Sequence, residues 1–542
     1  MKKYLWILPI LLVLFLIEEI VLLPLNLQSG AIWFFIFVIA FIAMIATSFE
    51  TQNIYNRVEL VVKKKRGKNF AILGIVLLAF VGVQVFSGPM FSSNYYANRT
   101  NIVEGDFAKE VEVVDLDNIA LVDKESAQNL GDRVMGNLPD LVSQFAVSSQ
   151  YNQITYQGHL YRITPLEYNG FFKWMSNSSS GTPGYILVDS TTGEATLKQV
   201  EGGMKYVPSA YLFNDLARHI FNSYPTKMLC ESTFEIDEEG NPYWITPVKK
   251  VRAVGLAVDI QGVITTSAID GTNSYYTIDD VPEWIDHVYP TEVKEEQINS
   301  VLKYQGGFFN TLFAQKGVRE LTPSFSYDMD NDVSVDYTGY QYIGCNAGQD
   351  VCMYSGVTSA AADDSNLGFV LGNLRTGEVN YYAAAGAEEY SAINTARGAT
   401  QEKNYTASFP ILVNLDGRPT YILSLKDDAG LVKAYALVDV QNYQKVSVTN
   451  ADQGIKAAVS VYQKMMGLNS SEDVVIETKT KEFTVSEVNT AVVDGNTMYY
   501  ILTTDGDVYL SSITVSDKLP FVKSGDVLKC EVSDSNIITE IK

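Results

Sequence analysis

Few of the side chains from which catalytic sites are usually built occur in this chain. Its 542 residues include three histidines, His159, His219 and His287, which are dispersed and set among residues typical of packing. No G-x-S-x-G elbow, H-E-x-x-H helix, P-loop, dinucleotide-binding glycine motif or zinc-type cysteine cluster accompanies them. The sequence therefore predicts no catalytic residue and no cofactor, although spacing alone does not exclude a histidine-based triad.

The four cysteines offer disulfide chemistry. Cys345 and Cys352 have six residues between them and join two predicted strands. A hairpin can bridge this spacing with Cα atoms about 5–6 Å apart, so we predict a local disulfide. Cys230 and Cys530 either form a second disulfide or remain as buried free thiols.

Acidic residues offer two further chemistries. The alternating acids Asp328, Asp330 and Asp332 have the spacing of ligands for a hard cation. An EF-hand, however, needs Gly at the sixth position of its loop and Glu at the twelfth, and this chain has Val333 and Gly339 there. We interpret the cluster as a solvated acidic turn, with an irregular calcium site as the alternative. Paired carboxylates of the glycosidase type are also conceivable, but the many acidic residues of the chain select no particular pair.

Charge is divided unevenly along the chain. Residues 1–87 contain eight Lys/Arg and four acidic residues, a balance of +4, whereas residues 88–542 contain 32 basic and 59 acidic residues, a balance of -27. Nucleic-acid binding requires clustered Lys and Arg, so the acidic body argues against that class of function. The division is typical of a membrane anchor attached to an acidic body outside the bilayer.

Three apolar runs predict transmembrane helices at residues 4–25, 31–48 and 70–87. A cleaved signal peptide is disfavoured for the first run, because Glu18 and Glu19 interrupt it without a small-residue cleavage site. Lys2, Lys3 and the basic run at 63–68 place the N-terminus and the second connection in the cytoplasm. We therefore predict a multi-pass protein of the cell membrane with all residues after Gly88 on the outer side.

The apolar runs contain polar residues that need solvation or a partner inside a bilayer, namely Glu18, Glu19 and Gln84. Glu18 and Gln84 each lie 14 residues beyond the inner end of their helix, so a protonated Glu18 could donate a hydrogen bond to the Gln84 amide. Solvation in the headgroup region or helix packing is the favoured interpretation. Docking to another membrane protein and proton translocation remain alternatives.

The outer body contains internal repeats. The pattern G-x-x-Y-x-I-T-P occurs at 158–165 and again at 240–247, and a weaker pair begins at Gly339 and Gly417. Alternating Tyr, Ile and Val predict strands with one buried face, and helix-spaced apolar residues follow each copy. The predicted unit is a β-meander covered by a helix, used about four times.

In the first repeat, the Tyr-x-Ile strand is followed by a strand that ends in Val188-Asp189-Ser-Thr-Thr-Gly193. This pair of strands resembles PepSY-like modules of secreted and membrane-anchored bacterial proteins. The resemblance covers roughly residues 150–460, and the segment 337–390 lacks the Val-Asp pair. It implies extracytoplasmic binding or inhibitory regulation of envelope enzymes such as peptidases, rather than catalysis.

Together these patterns predict a membrane-anchored α+β protein with six segments. They are a three-helix transmembrane anchor (1–90), a linker with a small folded segment (91–145), a first repeat pair (146–292), a helical connector (293–335), a second repeat pair (336–468) and a small β-barrel of OB or SH3 type (471–542).

The predicted function is non-enzymatic binding, scaffolding or regulation at a bacterial-type cell envelope, through a protein partner and the lipid bilayer. A hydrolase of wall polymer with paired outer carboxylates is the alternative. Aromatic residues dominate binding energy at interfaces. The candidate contact residues, for each of which packing in the core is the favoured interpretation, are Tyr161, Trp174, Tyr243, Trp244 and Trp284.

Overall fold

The structure, a computed structural model, describes residues 22–54, 57–62, 67–329, 333–346, 348–360, 366–468, 479–493, 496–512, 515–516, 518–532 and 538–541. Most of the regular elements are strands, with helices between them, which confirms the predicted α+β class. The chain forms two compact units, residues 1–389 with 409–419 and residues 390–408 with 420–542.

The N-terminal part consists of apolar helices and a β-hairpin: α1 (Gly30–Ser48), β1 (Phe49–Ile54), β2 (Arg57–Val62), α2 (Gly67–Ser87) and α3 (Pro89–Tyr96). Pro89 has no N–H and a fixed φ, so the helix bends where α2 meets α3. Of the helices that the structure describes, none is long and apolar enough to cross a membrane alone. One bent pair, Leu73–Ser87 with Pro89–Tyr96 at 42°, meets the requirement in length and composition.

Helices occur at two of the three predicted membrane runs, but neither of them alone meets the requirement for crossing a membrane. The second and third correspond to α1 and α2, whereas most of the first, with Glu18 and Glu19, lies outside the described residues. Residues 22–25 form a turn and irregular chain, so the predicted helical end at 25 is wrong. Gln84 contacts the body: its Nε2 donates to Val254 O at 2.8 Å, and its Oε1 accepts the Val254 N–H at 3.3 Å.

The predicted linker at 91–145 contains more regular structure than its composition indicates. After α3 come β3 (Ile102–Gly105), α4 (Phe107–Glu110), α5 (Lys124–Gly136) and α6 (Pro139–Val142). Alternating apolar residues predict a strand at 110–116, but this prediction is wrong, because Glu110 ends a helix. Helix-spaced apolar residues predict a helix at 124–135, which is confirmed, and Asp123 caps it by accepting the Ser126 N–H at 2.9 Å.

Four antiparallel meanders follow. The first contains β4 (Phe145–Val147), β5 (Asn152–Tyr156), β6 (His159–Tyr168), α7 (Phe171–Asn177), β7 (Thr182–Asp189) and β8 (Ala195–Met204), and α8 (Leu216–Ser223) comes after it. The second contains β9 (Met228–Leu229), β10 (Thr233–Ile236), β11 (Pro242–Arg252), β12 (Leu256–Ser267) and β13 (Asn273–Thr277). These two sheets share one core, in which Tyr185 of the first packs against Phe234 of the second.

The third meander begins inside the predicted helical connector. After α9 (Thr291–Tyr304) and α10 (Phe308–Leu312) it comprises β14 (Arg319–Leu321), β17 (Gln341–Cys345), β18 (Asp350–Ser359), β19 (Asn366–Asn373) and β20 (Val379–Gly386), with the hairpin β15 (Phe325–Met329) and β16 (Val333–Tyr337) inserted. Ile298 and Leu302 of α9 pack into its core. β3 pairs in parallel with β20, so the linker predicted there is instead an edge strand of this sheet.

The repeated Ile-Thr-Pro motif explains why two short strands share one long partner. In the first sheet β5 pairs with residues 159–163 of β6 and β4 with 166–168. Pro165 lies between these stretches, and its carbonyl accepts the Ser148 N–H at 3.1 Å, so its missing N–H faces the same edge. Pro247 interrupts β9 and β10 in the same way, because its carbonyl accepts the Cys230 N–H at 2.8 Å.

The Val-Asp-x-x-x-Gly pattern is a turn. Asp189 Oδ1 accepts the N–H groups of Thr191 and Thr192 at 2.9 and 2.7 Å, and Gly193 adopts a φ of +76°. In the second repeat the sequence offers Asp259 and Gly262 as the counterpart of this turn, but that prediction is wrong, because Asp259 lies within β12. The corresponding turn there falls at residues 267–271.

The later elements are α11 (Glu389–Gly398), β21 (Thr406–Ala407), β22 (Ile411–Leu415), β23 (Arg418–Lys426), β24 (Val432–Asp439), β25 (Val446–Asn450) and α12 (Gly454–Met466). In the second unit β21, β23, β24 and β25 are hydrogen-bonded neighbours in that order. The first three meanders have the same arrangement. In each of them a short edge strand is followed, in hydrogen-bonded order, by three strands that run antiparallel to one another.

In its described residues the C-terminal segment forms a five-stranded half-barrel sheet, which agrees only in part with the predicted small barrel of OB or SH3 type. Its strands are β26 (Lys479–Val493), β27 (Asn496–Thr503), β28 (Val508–Ser512), β29 (Val527–Val532) and β30 (Ile538–Ile541), in the order β28-β27-β26-β29-β30. The long strand β26 pairs with β29 through its first part and with β27 through its last part. It was not predicted, and the strand predicted at 474–478 lies outside the described residues.

Candidate interaction site

An aromatic cluster is exposed at one end of the first sheet. It is formed by α7, which is inserted between β6 and β7, and by the 3₁₀ turn Leu212–Asn214 ahead of α8. Phe172 and Phe213 expose 74% and 85% of their surface. The six apolar residues of the cluster, here called the aromatic patch, are Phe171, Phe172, Met175, Tyr211, Leu212 and Phe213.

The local sequence makes this exposure unavoidable. On a helix, residues three apart share a face and adjacent residues point about 100° apart. Trp174 is buried against the core of the first two sheets, which places Phe171 beside it at the edge of the protein. Phe172 and Met175 then share the outer face, where no other element of the described chain covers them.

The patch is held together by its own ring contacts. The centroids of Phe171 and Tyr211 are 5.1 Å apart at an interplanar angle of 89°, and those of Trp174 and Tyr211 are 5.5 Å apart. Leu212 has a φ of +56°, in the left-handed region that side chains other than Gly rarely adopt. Such strain costs about 1–3 kcal/mol, so the outward display of this turn is maintained against a local penalty.

A pocket of about 430 Å³ opens beside the patch. Its lining includes Tyr168, Gly170, Tyr211 and Arg218. Among the described residues, the buried Tyr168 Oη and Trp174 Nε1 atoms have no hydrogen-bond partner. Burial raises the pKa of Tyr168 to about 12, so this hydroxyl is neutral and can donate. An unpaired buried donor costs about 1–3 kcal/mol, and both atoms are closed off from solvent in the folded chain.

The patch lies at the end of the second sheet opposite to the N-terminal helices. The tip of the β11–β12 hairpin, at Val254, contacts Gln84 at the end of α2. At the other end of β12, His219 of α8 lies 2.7 Å from Gly271 O, and the patch immediately precedes α8. The twelve residues of β12 extend over about 36 Å, so a strand length separates the two ends.

The predicted contact residues do not form one surface. Trp244 is fully buried and donates its indole N–H to Tyr206 O at 2.8 Å, and Trp174 is buried beneath the aromatic patch. Tyr243 and Trp284 are half-buried and contact each other, with ring centroids 5.1 Å apart. Tyr161 is half-buried on β6. The only one of the five beside the patch is therefore Trp174.

The three histidines have different environments. His159 is exposed at the start of β6, so the predicted packing role is wrong for it. His219 is half-buried. His287 is buried, its Nε2 donates to Gln153 O at 2.7 Å, and burial lowers its pKa. No two of them contact each other in any hydrogen bond of the described residues.

A buried pair of carboxyl groups lies next to His287. Glu235 accepts the N–H groups of Asp286 and His287 at 2.8 and 3.1 Å, and Asp286 accepts the Thr155 N–H at 2.6 Å. Burial raises the pKa of both acids, and their mutual repulsion adds to this in Asp286. Raised carboxyl pKa values suit acid catalysis, but both side chains are sealed from solvent, so no substrate can reach this pair in the folded state.

The cysteines form one disulfide, and most of the acidic cluster lies outside the described residues. The structure joins Cys345 and Cys352 in a disulfide with Cα atoms 5.8 Å apart, the pairing that the spacing predicts. Cys230 and Cys530 are free thiols, and burial raises the pKa of each to about 11. Asp330 and Asp332 lie outside the described residues. Within the described ranges, no three His, Cys, Asp or Glu side chains could hold a metal ion.

The sequence contains a signal for the aromatic patch that periodicity does not detect. Two apolar runs, Phe171-Phe172 and Tyr211-Leu212-Phe213, place neighbouring large side chains on short elements, and no strand or helix period can bury all of them.

Comparison with models of known protein families and with curated proteins finds no match for this chain.

Proposed function

We propose that this chain is a non-enzymatic, membrane-anchored binding protein of a bacterial-type cell envelope. Its body lies on the outer side and binds a protein partner through the aromatic patch. The resemblance to PepSY-like modules belongs to this proposal, since it implies binding or inhibitory regulation of an envelope enzyme.

The anchoring part of the proposal is supported by charge and by contacts at the helix ends. The hairpin that joins α1 and α2 is followed by the basic run at 63–68, which favours the cytoplasm. The opposite helix ends both contact the body: Gln28 Nε2 donates to Val251 O at 2.9 Å, and Gln84 pairs with Val254. A body attached to the ends remote from the basic run is the arrangement expected of an outer domain.

The observation that carries the binding proposal is the aromatic patch beside its pocket. Solvent-exposed clusters of large apolar side chains are uncommon on monomeric surfaces and mark interaction sites. Here the rings are fixed by mutual contacts and lie beside a pocket lined in part by Tyr168 and Tyr211. A polypeptide that places an apolar side chain against these rings would bury their exposed surface.

The test is photo-crosslinking in intact cells followed by affinity measurement. A benzophenone amino acid at Phe172 or Phe213 should yield one protein adduct. The same group at Phe521, which is 75% exposed in the 3₁₀ turn Leu519–Phe521 of the C-terminal segment, should not yield it. With the identified partner, Phe172→Ala and Phe213→Ala should each weaken binding about 30-fold, the effect of a hot-spot residue worth about 2 kcal/mol. Equal affinities for these variants and Phe521→Ala would refute the proposal.

A further inference from the structure

A second exposed apolar surface lies on α10. Phe309, Leu312 and Phe313 are 55%, 58% and 80% exposed, and their spacing places them on one side of the helical segment. The rings of Phe309 and Phe313 stack with centroids 6.4 Å apart. These three residues are here called the α10 face.

The α10 face is fixed beside α3. Tyr304, at the end of α9, packs its ring against Tyr96 of α3 at 5.8 Å and against Phe308 at 6.5 Å. Gln305 Nε2 donates to Ala97 O at 3.2 Å. The segment that carries the α10 face is therefore docked onto the second arm of the bent apolar pair.

The surface of the α2–α3 bend is itself apolar. Phe86, Met90 and Phe91 are 65%, 45% and 54% exposed, and the rings of Phe86 and Phe91 are 4.9 Å apart. The α10 face thus continues an apolar surface that begins on the candidate membrane span. Such continuity distinguishes it from the aromatic patch, which lies at the far end of β12.

Charge around the α10 face suits a lipid surface. Residues 304–319 contain no Asp or Glu and include Lys316 and Arg319, in a body whose overall balance is -27. The apolar pair is also free of acids from residue 67 to 103. Repulsion from anionic headgroups is therefore minimal at this part of the body, and Lys and Arg are attracted to such headgroups.

We propose that the α10 face lies in the outer lipid–water interface, as a non-spanning contact that fixes the orientation of the body on the bilayer. This inference rests on the proposed membrane anchoring. The occupant is lipid rather than protein because the face adjoins the anchor, contains Phe and Leu without acidic neighbours, and is followed by basic residues.

The test uses the full chain in lipid nanodiscs that contain anionic lipid, with Cys230→Ser and Cys530→Ser to remove the free thiols. An environment-sensitive fluorophore on Phe313→Cys should be quenched by nitroxide-labelled lipid several-fold more than the same fluorophore on Phe213→Cys. Phe213 is the matched control, because it is 85% exposed and lies in the aromatic patch. Equal quenching at the two positions would overturn the inference.

A third label separates this inference from the anchoring on which it rests. Leu78 is 73% exposed on α2. Quenching at Leu78→Cys without quenching at Phe313→Cys would leave the anchor intact and refute the role of the α10 face. Absence of quenching at both would refute the anchoring. A label at 313 that is shielded from aqueous iodide, yet unquenched by nitroxide lipid, would indicate a protein contact and also overturn the inference.

Discussion

Replacing Asp286 with Asn should stabilise the contact between the first three sheets at alkaline pH and leave it unchanged at acid pH. Asp286 follows the second sheet and accepts hydrogen bonds from the N–H and Oγ1 of Thr155 in the first sheet, at 2.6 and 3.0 Å. Thr155 Oγ1 also lies 3.1 Å from Gln349 O, next to the third sheet. The carboxyl group therefore lies where three sheets meet.

The sign follows from the raised pKa values of Asp286 and Glu235. Because burial raises both above the values of solvated carboxyl groups, the folded chain binds more protons than the unfolded chain as pH rises above about 4. The stability due to the protonated forms is complete below the unfolded pKa and is lost as pH rises through the folded pKa. Each proton released changes the free energy of unfolding by about 1.4 kcal/mol per pH unit. A rise of two pH units therefore lowers the free energy of unfolding by at most about 3 kcal/mol for one carboxyl group.

Amide hydrogen exchange at Thr155 measures this effect, because its N–H donates to Asp286. Comparison of wild type and Asp286→Asn at the same pH cancels the intrinsic exchange chemistry. At about pH 8 the variant should exchange about 10–100-fold more slowly, and at about pH 5 the two should agree. A ratio that is the same at both pH values would refute the assignment of a protonated pair.

Asp350→Asn is the matched control, because Asp350 is also buried but faces a cation. Burial alone would raise its pKa, but two hydrogen bonds from Arg375, at 2.5 and 3.0 Å, and one from Asn373 at 2.8 Å lower it. This carboxylate contributes stability above its unfolded pKa, which is lost only in acid. Its replacement should therefore weaken the third sheet equally at about pH 5 and about pH 8.

Two further predictions concern the N-terminal helices. In intact cells, a Cys introduced at Asn69 should resist a membrane-impermeant thiol reagent and one at Asn94 should react, because the proposed topology places the basic run and residue 69 inside. Reaction at Asn69 would reverse the proposed orientation. Gln84→Leu should remove both hydrogen bonds to the Val254 backbone and accelerate hydrogen exchange of the Val254 amide about tenfold. Unchanged exchange of this amide would show that the Gln84 contact does not stabilise the hairpin tip.

The repeats were predictable because each reuses a local chemical device. Pro165 and Pro247 lack an N–H at the same place in two long strands, and Asp189 closes a turn with the N–H groups that follow it. Both devices act within a few residues, so spacing in the sequence reveals them. The one misplaced turn, at Asp259, arose because a Val-Asp pair can also lie inside a strand when its carboxylate has another partner. Here that partner is Arg99, at 3.4 Å.

Features that depend on distant pairing could not be read from the sequence. β3 has four residues, Ile102–Gly105, and pairs with β20 of the third sheet almost 280 residues later. No periodicity appears in so short a strand. Gln84 likewise resembles an isolated polar residue of a membrane helix until the hairpin tip at Val254 is placed beside it. In both cases the partner, rather than the local pattern, determines the structure.

The aromatic patch and the hairpin tip at Val254 lie at opposite ends of the first two sheets, and this separation constrains the proposed partner. The core shared by these sheets links the aromatic patch above Trp174 to β11 and β12, whose hairpin tip contacts Gln84. Because β12 extends over about 36 Å, about one strand length separates the patch from the helix ends. A partner that contacts both Phe172 and the helix ends would have to reach over this distance. We therefore expect the proposed partner of the patch to bind without contacting Gln84.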